Sequence, residues 1–164
     1  MKKLIVICSL SLIFAACGGS GEKDNSTTTE PAADSSGEKI PNVGGANPSY
    51  DPNRGEGKFH DVKLNDKLDA ALATKGGKIF DLKCGSCHKL TDEKLVGPGW
   101  KGVTSRHKPE WIMNFVTNTD DMITKDPKAQ AMLEICMVRM PNQNLSDDDA
   151  RNIFEYMRQN DGVK

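Results

Sequence analysis

The chain has 164 residues, enough for one ordinary domain with appendages and too few for two full ones. Its 22 basic and 23 acidic side chains nearly cancel and form no basic stripe, which argues against nucleic acid as a partner. Only residues 59–164 mix apolar and polar positions in a way that builds a core, and a core that small calls for a staple or a cofactor.

Residues 1–17 read MKKLIVICSLSLIFAAC: a short basic start, an apolar run, and small residues ahead of a cysteine. That is the pattern of a secretory signal, and the run is too short for a comfortable transmembrane helix. Phe14-Ala15-Ala16-Cys17 resembles the bacterial lipoprotein signal, with phenylalanine where leucine is usual. The resemblance implies acylation of Cys17, export, and a lipid anchor in the bacterial cell envelope facing the periplasm or the outer surface. Cleavage by ordinary signal peptidase, leaving a soluble periplasmic protein, is the alternative. Residues 18–58 are dominated by Gly, Ser, Thr, Pro and charge, with no periodic apolar face. Such a segment cannot bury enough surface to offset its ordering entropy, so it is expected to be a disordered tether. Its root-mean-square reach is roughly 30–40 Å.

In the expected folded domain, 59–164, Leu64, Leu68, Leu72, Ile79 and Phe80 recur at near-helical intervals and predict a first helix with one apolar stripe. Gly76 within that helix lowers its stability relative to alanine, so it predicts a packing reason. Next comes Cys84-Gly85-Ser86-Cys87-His88. Two thiols at this spacing can each add to a haem vinyl group, and the histidine then falls beneath the iron. A thioredoxin-like redox pair would need a βαβ setting, and a zinc site a second ligand pair, for which only Cys136, His60 and His107 remain. Val96-Gly97-Pro98-Gly99-Trp100-Lys101-Gly102 reads as a loop, and a helix is expected over Pro109–Val116. Met140 precedes Pro141, which enforces an extended loop, whereas Met113, Met132 and Met157 fall in helical patterns and Met122 reads as core. The last helix is expected over residues 146–159, with Ser146 as N-cap, Asp149 completing a capping box, and three aspartates in the first turn. Cys136 reads as a small buried apolar residue and His107 as an exposed loop histidine.

From about residue 66 to 160 the chain resembles the class I cytochrome c family, on Gly76 and Phe80 ahead of Cys84-Gly85-Ser86-Cys87-His88, the Gly97-Pro98 loop, and the Met140-Pro141-Asn142 opening of the next loop. The resemblance implies an all-α cytochrome c fold of three to five helices around one covalent haem c, with Gly76 letting the terminal helices cross. It implies that the Pro98 carbonyl accepts from His88, that Trp100 contacts the haem, and that Met140 is the second iron ligand, with Met137 the runner-up. The expected function is single-electron transfer by iron cycling between Fe(II) and Fe(III), with Lys83, Lys89 and Lys101 flanking a docking edge. The expected partners are a quinol-oxidising complex upstream and a terminal oxidase or periplasmic reductase downstream. A haem peroxidase or sensor with an open sixth position is the alternative.

Overall fold

The computed structural model describes residues 50–164, so the signal segment, Cys17 and tether residues 18–49 lie outside the described part. The described residues are all-α: α1 (Ala70–Ile79), a π-helical turn (Phe80–Cys84), α2 (Val103–Arg106), α3 (Pro109–Thr117), α4 (Thr119–Lys125), α5 (Pro127–Cys136) and α6 (Asp147–Asn160). The six α-segments exceed the expected three to five by one, because the single-turn α2 carries no periodic signal.

Helix α1 starts where Asp69 accepts from the backbone N–H of Ala71 and Leu72, both at 3.0 Å. Leu64 and Leu68 therefore precede the helix rather than extend its stripe, and Leu64 is exposed. The apolar spacing continues into extended chain, which periodicity alone does not distinguish from helix. Helix α6 carries the capping box: Ser146 Oγ accepts from Asp149 N–H at 3.1 Å, and the Asp149 carboxylate accepts from Ser146 N–H at 3.2 Å. The α1–α6 crossing is the most extensive helix contact of the fold. It closes on Gly76, where an added Cβ would lie 2.1 Å from the Asn152 carbonyl oxygen and 2.7 Å from Tyr156 Cβ. Phe80, Trp100, Trp111, Met113, Ile153, Phe154 and Met157 pack as one buried core between these helices and α3.

Residues 50–58 depart from the expected tether. They begin a strap, continuing to Asp66, that is hydrogen-bonded onto the helices. Tyr50 donates to the Asp126 carboxylate at 2.6 Å, and buried Asn114 donates to the carbonyls of Arg54 and Phe59 and accepts from Phe59 N–H. Farther along, Val62 N–H donates to Glu110, and Arg158 donates to the carbonyls of Asn65 and Asp66. Arg158 is itself paired at 2.9 Å with Glu155, which is 1 % exposed. Side chains of the helices thus satisfy the polar backbone of the strap, while its Phe59 and Val62 pack against the core.

Candidate functional site

The π-helical turn leads into the cysteine motif, and Gly85 N–H closes it on the Phe80 carbonyl at 2.8 Å. Cys84 is buried, Cys87 half-buried, and both are free thiols. Burial pushes the Cys84 thiol up to about 11 against the opposing charge of Lys83, so it is protonated at neutral pH. The following loop folds back onto this segment through Gly97 N–H to the Cys87 carbonyl at 2.9 Å and Trp100 N–H to the Lys89 carbonyl at 2.9 Å. That return brings the Pro98 carbonyl 2.9 Å from His88 Nδ1. A carbonyl only accepts, so Nδ1 carries the proton and Nε2 is left with its lone pair. Burial lowers the His88 pKa despite the Pro98 bond, keeping the imidazole neutral, the form that binds metal. The loop needs glycine to come this close: a Cβ on Gly97 would sit 2.3 Å from His88 Cε1.

Three lobes of cavity, about 90, 230 and 110 Å³ in volume, open around this histidine. Among the described residues, only His88 and Met140 line all three. Between them the lobes expose an otherwise largely apolar wall, including Val96, Trp100, Phe115, Val116, Met132 and Leu145. Cys87 lines the first two lobes, and Cys84 the second. A flat apolar macrocycle fits this lining; Cys84 and Cys87 would hold it, and His88 and Met140 are the side chains that could bind its metal. The runner-up methionine stands elsewhere: Met137 ends α5 in a left-handed conformation, φ 58°, and is 82 % exposed. Trp100 is buried with its ring 4.9 Å from Phe80 and 5.6 Å from His88.

Two sequence expectations need correction. Cys136 is half-buried in the wall of the first lobe rather than sealed in the core, because it falls in the last turn of α5, where the helix meets the cavity. His107 is not an exposed loop residue: its ring stacks on Trp111 at 4.1 Å and 15°, and it lines the third lobe. Burial, reinforced by Lys128 and Arg106, holds its pKa down at about 4. The expected docking lysines all have neighbours: Lys83 donates to the Gln143 carbonyl, Lys89 pairs with Glu93, and Lys101 lies 3.9 Å from Asp92. Apart from Trp100, the apolar wall residues were unread as site residues, since in sequence they are indistinguishable from core.

The family model for cytochrome c matches residues 73–161. The chain belongs to the cytochrome c family. A cytochrome c from Rhodothermus marinus is similar in structure, with TM-score 0.62 and 37 % identity over 64 % of this chain and 90 % of that one. An engineered cytochrome c from the same organism matches at TM-score 0.61 and 36 % identity, with the same coverage of both chains. A further engineered form, bound to a carbene intermediate, matches at TM-score 0.59 and 36 % identity, again over 64 % and 90 %. No curated protein matches the chain. Cytochromes c hold a covalently attached haem c, and this chain is a haem-based electron carrier.

Proposed function

We propose that this cytochrome c is an envelope-anchored shuttle whose haem is attached at Cys84 and Cys87, with His88 and Met140 as the two axial ligands. The reading is carried by one observation: of the described residues, these two alone are common to all three lobes of the cavity. When bound, the haem supplies reversible one-electron chemistry at iron. The chain's own residues do the rest. Pro98 orients the His88 ring and raises its basicity toward a metal. The Met140 thioether favours the reduced state relative to a second histidine. With both axial positions filled, no site remains for a substrate, which favours a carrier over a peroxidase or a sensor. The apolar wall, with Trp100 inside it, excludes water and keeps reorganisation on electron transfer small. Lys83, Lys89 and Lys101 are engaged only in exposed contacts of little net strength, so they remain available to steer a transient partner.

In this reading Cys17 carries the lipid, a tether follows it, and the haem domain includes the strap from residue 50 onward. Such an arrangement suits transfer from a quinol-oxidising membrane complex to a terminal oxidase or periplasmic reductase. The deciding experiment is the absorption spectrum of the haem-loaded protein beside Met140→Ala. A low-spin wild type with the methionine–iron charge-transfer band, lost in the variant, together with poor carbon monoxide binding at neutral pH, is expected. A high-spin wild type would refute the carrier. For the anchor, Cys17→Ser is expected to move the protein from the membrane to the soluble envelope fraction; retention in the membrane would contradict lipidation.

A further inference from the structure

Two carboxylates are buried among the described residues, and they are stabilised differently. Glu155 is paired with the Arg158 guanidinium. Asp126 is fully buried and, among the described residues, has no cation within ion-pair distance. Neutral donors hold it instead. One oxygen accepts from the Tyr50 hydroxyl at 2.6 Å and the Trp111 indole N–H at 3.1 Å, the other from Ala129 N–H at 2.8 Å. The indole and the amide can only donate, and three donors converging on two oxygens suit the ionised form, which only accepts.

The charge stands directly behind the wall of the cavity. Trp111 lines the third lobe and Ala129 the first, and each bonds the carboxylate through its N–H. Its field reaches that wall: at His107, stacked on Trp111, it opposes the charges of Lys128 and Arg106. Those cations are turned to backbone carbonyls, Lys128 to that of Pro52 and Arg106 to those of Gly99 and Lys101, and Arg106 is exposed. Water and salt screen charges so placed, whereas a buried carboxylate keeps its field. Oxidation adds one positive charge at the iron, so a fixed anion behind the wall stabilises the oxidised state more than the reduced one.

We propose that Asp126 sets the reduction potential of the haem, its buried carboxylate acting as a fixed negative charge that favours Fe(III) and opposes the preference of the Met140 thioether for Fe(II). The strap takes part, because Tyr50 supplies one of the three donors that keep the carboxylate ionised. The inference rests on a haem held in the cavity with His88 and Met140, as proposed above.

The test uses the full-length protein with its covalent haem, and the wild-type absorption spectrum reports the haem and its ligands independently. Asp126→Asn removes the charge and keeps an acceptor for the indole and the phenol. Its reduction potential is expected to shift upward while the spectrum stays low-spin, and the shift is expected to persist at high ionic strength. Asp148→Asn removes the same charge from the exposed first turn of α6 and is expected to shift the potential far less. An unchanged or lowered potential in low-spin Asp126→Asn overturns the proposal. So does a rise that salt abolishes, or an equal rise in Asp148→Asn. A carbon-13 spectrum of the reduced wild type, labelled in aspartate, is expected to show Asp126 as a carboxylate at neutral pH. A carboxylic acid there overturns the proposal whether or not the variant folds. A wild type without low-spin haem overturns the reading beneath it as well, and the absorption spectrum separates that outcome from the others.

Discussion

At the scale of single residues, the site depends on how closely a loop can approach one imidazole. Gly97 makes the approach possible, since any side chain there begins 2.3 Å from His88 Cε1. Gly97→Ala is expected to push the Pro98 carbonyl away from Nδ1, destabilising the protein by about 2 kcal/mol. Denaturant titration checks the stability, and partial loss of the low-spin spectrum reports the ring's displacement. An unchanged midpoint and spectrum would mean that the loop yields instead. The Cys84-Gly85-Ser86-Cys87-His88 motif was legible without any structure because its chemistry depends on covalent spacing along five consecutive residues. Met140 was legible only in part. Its rival lies three positions earlier, and what separates them is the left-handed turn at Met137, which sends one side chain outward and lets the chain return the other to the cavity.

At the scale of elements, two helix ends were readable and one crossing was anticipated. Asp147, Asp148 and Asp149 after Ser146 announce a helix start because capping is local, and Ser146→Ala is expected to lose about 1 kcal/mol in a denaturant melt. The α1–α6 crossing is stricter. At Gly76 the neighbour is backbone, the Asn152 carbonyl, which does not swing aside as a side-chain tip would. Gly76→Val is therefore expected to cost about 3 kcal/mol, with the helices forced apart and Phe80 pulled from Tyr156, now 5.6 Å away. Retention of the wild-type melting midpoint would show that the helices cross elsewhere. The start of α1 was misplaced because leucines at near-helical spacing continue upstream of Asp69, where the side-chain cap, not the periodicity, ends the helix.

At the scale of the whole molecule, the strap ties the chain leading from the N-terminus to the helices around the haem cavity. Tyr50 is the first described residue and bonds Asp126, the N-cap of α5. Its pKa is raised, by burial first and then by the Asp126 bond and charge. The folded state therefore holds the phenolic proton that the unfolded chain releases near its ordinary value of about 10. Stability from this contact is fully present below about pH 10 and falls as pH rises beyond it, since the unfolded state then binds fewer protons. Tyr50→Phe is expected to be weaker by about 1 kcal/mol at neutral pH and to lack that part of the alkaline slope. Unfolding titrations from neutral to alkaline pH check both, and parallel curves for the two proteins would exclude the contact. In its sequence alone the attachment motif and the capped last helix were legible because each is written in neighbouring residues, while the all-α haem carrier and the glycine crossing followed from the resemblance those motifs carry. The strap, the exposure of Met137 against the cavity position of Met140, and the place of His107 inside the cavity wall were decided only by tertiary structure. The strap's bonds join residues 48 to 93 positions apart, and what a polar side chain does there depends on which distant backbone group satisfies it.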